Sequence, residues 1–154
     1  MTGQNEAEFT ITYEFDAPRD LVFRAWTDPA HAARWFGPQG CTTPLDTITM
    51  DVRPGGQWRA TMIRDDNGEQ YPTGGTYQEV DEPARLVFTW TDPLSPTGRP
   101  EQSLVTIDLV ERDGRTEMTF HQAGFVCPGS REGVRSGWSS GFRRLASVLA
   151  GAIR

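Results

Sequence analysis

The sequence predicts an α+β fold: a curved seven-stranded antiparallel sheet wrapped round a long C-terminal helix, with two short helices after the first strand. Three observations predict it. Between residues 9 and 122 apolar residues alternate with polar ones in seven stretches separated by turn chemistry. After the first stretch two proline-led segments switch to helical spacing. From residue 134 to the end one apolar stripe runs at helical period. The chain has 154 residues, the size of one domain with one core, so residues 8–154 are expected to form it and residues 1–7 a disordered N-terminus. No internal repeat, low-complexity run or linker divides it.

The first strand is Phe9-Thr-Ile-Thr-Tyr-Glu-Phe15, in which Phe9, Ile11, Tyr13 and Phe15 alternate with Thr10, Thr12 and Glu14. Pro18 then suits a first helical turn, and Val22, Phe23 and Trp26 form its apolar stripe. Asp28-Pro29 repeats the start signal, a capping carboxylate before proline, and Gly37-Pro38 ends this second short helix after Trp35 and Phe36.

Strands follow. Ile48, Met50 and Val52 alternate before Pro54-Gly55-Gly56, and Trp58, Ala60 and Met62 before Asp65-Asp66-Asn67-Gly68; both turns read as hairpins whose glycines take positive φ. Segments 71–80, 86–91, 104–110 and 116–122 complete the sheet, joined by Asp81-Glu82-Pro83, a proline-rich loop at 92–100 and Arg112-Asp113-Gly114. The pair Gly74-Gly75 falls inside one of them and reads as a strand bend. Leu86, Phe88 and Trp90 share a face, as do Val105, Ile107 and Leu109, while the opposite positions are largely polar, so one face of the sheet needs a cover.

Val134, Trp138, Phe142, Leu145, Leu149 and Ile153 supply it on one helix. That helix also carries Gly133, Gly137 and Gly141, each costing about 0.8–1.0 kcal/mol relative to alanine in a helix interior. Two explanations stand: the helix backbone packs closely on its neighbours, or the absent side chains leave a void that a ligand fills. Ser136, Ser139 and Ser140 weaken the first half further and favour its movement.

Charge and composition exclude several functions. Fifteen basic against twenty-one acidic residues give a net charge of −6, which opposes nucleic acid and anionic membranes. Residues 131–154 carry five arginines against Glu132 alone, a net +4 that leaves −10 for the rest and reads as a solvated helix face held to an acidic body. All fifteen basic residues are arginine, which excludes lysine nucleophiles. Cys41 and Cys127 lack metal or redox spacing and are read as free thiols, and without a signal peptide or spanning segment the protein is expected to be cytoplasmic. His31, expected to be exposed, and His121, at a strand end, form no metal motif; neither a GxSxG nucleophile nor a phosphate-binding glycine loop is present, and no cofactor is expected. Asp46, Arg59, Glu79 and Arg85 read as a solvated sheet face.

The remaining signal is aromatic mass, and it comes with a resemblance. Phe15-Asp-Ala-Pro18, Ala25-Trp-Thr-Asp-Pro29, Trp35-Phe-Gly-Pro38, Arg53-Pro-Gly-Gly56 with Trp58, Gly75-Thr-Tyr77, Pro83-Ala-Arg-Leu-Val-Phe-Thr-Trp90 and His121-Gln-Ala-Gly-Phe125 occur in order over residues 8–150. Together they resemble the START-like, polyketide-cyclase-like (SRPBCC) superfamily, in the branch named for the activator of the ninety-kilodalton heat-shock protein ATPase. The resemblance implies the helix-grip fold and a hydrophobic cavity between sheet and last helix. It implies no single reaction, because this fold hosts lipid carriers, aromatic-ring cyclases, hormone receptors and chaperone regulators. The eukaryotic activator also carries a separate chaperone-binding domain, for which this sequence has no counterpart. Val134-Arg-Ser-Gly-Trp-Ser-Ser-Gly141 is similar to a helix of actinomycete self-resistance proteins, which sequester or are cleaved by reactive aromatic or enediyne products.

The leading expectation is therefore non-enzymatic binding of a small hydrophobic molecule, aromatic or lipid-like, in a cavity lined by Trp58, Met62, Tyr77, Trp90, Phe120, Trp138 and Phe142, with room made by Gly137 and Gly141. Its mouth is expected near the 92–101 loop and residues 123–130. A cyclase-like enzyme using Tyr77, His121 or Arg59 for proton transfer, a self-resistance protein and a chaperone ATPase co-regulator are the alternatives. The expected partner is a small hydrophobic molecule, neither nucleic acid nor membrane, and a protein partner stays open.

Overall fold

Alternation of apolar residues builds β1 (Glu8–Phe15), whose Phe9, Ile11 and Phe15 are buried while Thr10, Thr12 and Glu14 face outward. The computed structural model describes residues 8–91, 102–124 and 128–152, without the side chains of 128–131 and 152. The expected disordered residues 1–7 lie outside the described residues, as do the proline-rich loop, Cys127 and most of the expected mouth.

Pro18 is the extended residue before α1 (Arg19–Thr27), which buries Val22, Phe23, Ala25 and Trp26. Asp28 caps α2 (Pro29–Ala32) as expected, its carboxylate accepting from the Ala30 N–H at 2.9 Å. The helix is only four residues long, and Trp35 and Phe36 are buried in the turn that follows.

Among the described residues eight strands form the sheet, one more than the alternation predicts. β2 (Cys41–Thr42) and β3 (Thr49–Met50) are two-residue strands that both pair with β4 (Gln57–Arg64). The expected strand at 48–52 is reduced to β3, preceded by a 3₁₀ turn at Leu45–Thr47 that the Thr47 hydroxyl closes on the Pro44 carbonyl at 2.7 Å and followed by a turn in which the Arg53 N–H donates to the Asp51 carbonyl at 2.9 Å. β5 (Gln70–Asp81), β6 (Arg85–Thr91), β7 (Gln102–Arg112) and β8 (Arg115–Ala123) follow as a meander. The order is β1-β8-β7-β6-β5-β4-β2, antiparallel throughout, so the first strand closes onto the last and the sheet stays open between β1 and β2. Asp113 and Gly114 both take positive φ, 55° and 77°, the geometry that a two-residue hairpin turn requires.

The Gly74-Gly75 bend lies where β5 and β6 part. Their ladder runs only from Tyr77 opposite Phe88 to Asp81 opposite Arg85, with a bulge between Tyr77 and Glu79. Beyond it a Cβ on Gly75 would fall 1.8 Å from the Thr89 carbonyl oxygen, so only glycine fits. That oxygen accepts instead from the Trp58 indole at 3.1 Å, and the Thr73 hydroxyl bridges to the Thr91 carbonyl at 2.7 Å.

α3 (Pro128–Ala152) starts one and a half turns before the expected Val134 and covers the apolar face. Phe142, Leu145 and Leu149 are buried against α1 and sheet residues such as Ile107 and Phe120, giving an α+β helix-grip fold. The glycine stripe divides. A Cβ on Gly141 would lie 3.4 Å from the Gly37 carbonyl and 3.8 Å from the Trp35 ring, which is close packing, whereas one on Gly133 or Gly137 would meet nothing within 4 Å. The Arg144 Nη1 donates to the carbonyls of Gly37, Pro38 and Cys41 at 3.0, 3.1 and 3.0 Å, and the Ser140 hydroxyl accepts from the Gln39 N–H at 2.8 Å. The second half of α3 is thereby latched to the 37–41 segment.

Candidate functional site

β4, β5 and β6 present Trp58, Tyr77, Phe88 and Trp90 to the interior, β8 presents Phe120, and α3 returns Trp138 and Phe142 against them. Phe120 stands 4.9 Å from Trp138 and 5.3 Å from Phe142 between ring centres, and Trp90 6.4 Å from Trp138. Trp58 and Tyr77 form a second group, 5.5 and 6.2 Å from Phe88. The structure thus brings six of the expected wall residues together as two aromatic groups.

Trp26, Phe36 and Phe88 join the groups and were absent from the expected wall. Trp26 stacks or tilts against Phe88, Phe120 and Trp138 at 6.2, 6.1 and 5.7 Å, and Phe36 bridges Trp58 and Trp138 at 6.0 and 5.7 Å. Their signal was present as apolar positions on the short helix, the turn after the next and a strand, but nothing in the spacing separates such residues from ordinary core. Met62 stands apart: it is half-buried, and its side chain lies 3.3 Å from where a Gly37 Cβ would be. Gly141 is packed, and of the two expected glycines Gly137 alone borders open space.

A pocket lies in the second group, lined by Trp26, Phe36, Met50, Trp58, Tyr77 and Phe88 among others. Its cavity is ≈20 Å³, about the room of one water, within ≈300 Å³ of empty space that includes its open side. Another, wider groove of ≈350 Å³ follows the gap between β5 and β6, bordered by Arg59, Thr73, Thr76 and Gln102.

Polar groups inside are few and mostly paired. Gln122, fully buried, accepts from the Trp138 indole at 2.8 Å and donates to the Ser103 hydroxyl at 2.6 Å. The Trp35 indole donates to the Ala25 carbonyl at 2.9 Å. Burial, and to a smaller degree Asp51, pushes the Tyr77 hydroxyl well above the usual tyrosine range, so it is a donor and not a base at neutral pH.

The other acid–base candidates do not reach this interior. His121 alternates with the buried Phe120 and Gln122 on β8 and faces outward, where its Nε2 meets the Glu8 carboxylate at 2.5 Å. Arg59 alternates with the buried Trp58 and Ala60 and is likewise exposed. Arg85 pairs with Glu79 at 3.2 Å and with Asp108 at 2.8 Å on the polar face; Asp46 and Arg59 take no part in these pairs. His31 is half-buried on α2, where exposure was expected. Burial raises the Cys41 thiol pKa, and Cys41 is free. Among the described residues no group of three His, Cys, Asp or Glu side chains is placed to hold a metal, and no helix is long and apolar enough to cross a membrane.

Residues 16–150, nearly the whole of the fold just described, match the family described as Activator of Hsp90 ATPase homolog 1-like protein. The chain belongs to this family. Solved structures agree: an AHSA1 protein of Silicibacter pomeroyi is 26% identical with a TM-score of 0.81, covering 94% of this chain and 98% of its own. A protein of Nitrosomonas europaea is 27% identical with a TM-score of 0.78, covering 96% of each chain. A Hsp90 activator of Plasmodium falciparum is similar at 19% identity, 94% and 96% coverage and a TM-score of 0.71, a likeness of fold alone. Comparison with curated proteins finds no significant match. Membership of the Hsp90-activator-like family accounts for the START-like helix-grip architecture.

Proposed function

We propose that this member of the Hsp90-activator-like family binds a small, largely apolar molecule, aromatic or lipid-like, between the sheet and α3, and performs no chemistry on it. The observation that carries the reading is the contrast along α3. Its second half is packed at Gly141 and latched through Arg144, whereas a Cβ on the half-buried Gly137 would meet, among the described residues outside its chain neighbours and the adjacent helix backbone, nothing within 4 Å, and Gly133 one turn earlier is exposed. A helix that gives up about 1 kcal/mol at each of two unfilled glycines is built to stay loose there.

The cavity of ≈20 Å³ is too small for such a ligand as it stands, so entry requires the first half of α3 to move outward. The aromatic lining suits apolar ring systems. The outward placement of His121 and Arg59 supports binding over proton transfer.

Thermal unfolding of the purified protein with flat polycyclic aromatics and with fatty acids tests the proposal. A ligand at 100 times its Kd adds about 2.7 kcal/mol, or roughly 5–10 °C at this size. The expected result is such a shift in the wild type and its loss in Gly137→Leu, whose side chain occupies the open space. No shift with either class, or an equal shift in Gly137→Leu, overturns the reading; the first outcome turns attention to a protein partner.

A further inference from the structure

We infer that the indole N–H of Trp26 is the polar anchor of the bound molecule, and that this molecule carries a neutral oxygen acceptor, a carbonyl or ether, on an otherwise apolar ring system. The inference rests on the binding reading above and specifies its ligand.

Trp26 is 5% exposed, and its Nε1 is the buried side-chain nitrogen or oxygen that lacks any hydrogen-bond partner among the described residues. The contrast with its neighbours is informative. Trp35 donates to the Ala25 carbonyl, Trp58 to the Thr89 carbonyl and Trp138 to the Gln122 side chain. The fold therefore has the means to satisfy buried indoles and leaves this one unsatisfied, although a buried donor without an acceptor is costly and uncommon. Around Trp26 lie the rings of Trp35, Phe88, Phe120, Trp138 and Phe142, whose faces are weak acceptors. A phenylalanine would fill much of this site without the penalty.

Trp26 also lines the pocket, where, apart from Trp35 and Trp58, whose indoles are already bonded to the Ala25 and Thr89 carbonyls, the other hydroxyl or N–H donor of the described lining is Tyr77. Both groups donate, and a carbonyl oxygen with its two lone pairs suits two donors. Among the described residues no cation borders this pocket, so a carboxylate would enter without a counter-charge from them and is disfavoured. A ligand acceptor is thus matched by a neutral oxygen.

The test uses fluorenone and fluorene, which share a ring skeleton and differ by a carbonyl in place of a methylene. The expected result in the full chain is fluorenone binding roughly tenfold tighter than fluorene. Replacing Trp26 by benzothienylalanine, which keeps the bicycle and substitutes sulfur for N–H, is expected to abolish that preference while fluorene affinity holds. The indole nitrogen–proton signal that disappears in Trp26→Phe is expected to move downfield with fluorenone and not with fluorene. Equal affinities in the wild type, a preference that survives the benzothienyl replacement, or a stationary Trp26 signal with bound fluorenone each overturns the anchor and leaves the binding reading standing. Failure of both probes to bind overturns the binding of flat aromatics and the anchor with it.

Discussion

Tyr77 shows how one buried side chain constrains the chemistry. Its folded pKa is raised, chiefly by desolvation, above the unfolded value near 10. The folded state then holds its proton where the unfolded state has lost it, so this contribution is fully present below about pH 10 and is lost as pH rises toward the folded pKa. The unfolding free energy of the wild type is expected to fall above about pH 10 by up to roughly 1.4 kcal/mol per pH unit from this residue, and Tyr77→Phe to remove that part of the slope. Urea unfolding between about pH 9 and pH 11 measures it. The sequence has no lysine, which keeps that window free of a second large class of titrating groups. Equal slopes in the two proteins would show that the Tyr77 hydroxyl is hydrated. Trp26 teaches the complementary lesson: its place on a helical stripe was legible, but whether its N–H finds an acceptor depends on atoms from β6, β8, α3 and the turn after α2.

Among the elements, α3 and β5 place glycine for opposite reasons, and substitution separates them. Gly137→Ala adds a methyl where nothing lies within 4 Å and is expected to stabilise the protein by about 0.8–1.0 kcal/mol, raising Tm by roughly 2–4 °C. Gly75→Ala drives a methyl against the Thr89 carbonyl at 1.8 Å and is expected to cost at least ~3 kcal/mol, the upper end of ordinary single substitutions. Thermal and urea unfolding of both variants decide the matter. A destabilised Gly137→Ala would mean that the first half of α3 packs tightly after all. The sequence flagged both glycines as unusual, and the apolar stripe located α3 correctly. The stripe could not tell open space from contact, because a missing side chain leaves the same mark in both cases.

For the whole molecule, α3 is held to the body most firmly through its second half, with a longer-range contact near its start. Arg144 and Ser140 bind α3 to the 37–41 segment, and Arg135 reaches the Thr10 carbonyl at 3.4 Å and lies over the Phe9 ring at 5.7 Å. Arg135 and Arg144 thus hold the helix through backbone carbonyls and an aromatic face, with Arg143 exposed. Amide hydrogen exchange is expected to be faster over residues 133–137 than over residues 142–149 and to slow over 133–137 when a stabilising aromatic or fatty acid is present. Uniform protection along α3 would argue for a helix that does not open.

The α+β class, the covering helix, the Asp28 cap and the Asp113-Gly114 turn were determined by the sequence, because each rests on periodicity or on the conformational preference of a few adjacent residues. The two-residue strand β2 escaped it, since alternation has no meaning over two positions, and β3 is shorter than the alternation at 48–52 implied. Only the tertiary structure decided that Trp26, Phe36 and Phe88 join the wall, that Met62 stands aside, that His121 and Arg59 face away from Tyr77, and that one indole lacks an acceptor. The physical reason is range: local preferences act over a few residues of chain, whereas packing and hydrogen-bond satisfaction are settled between residues as far as 125 positions apart.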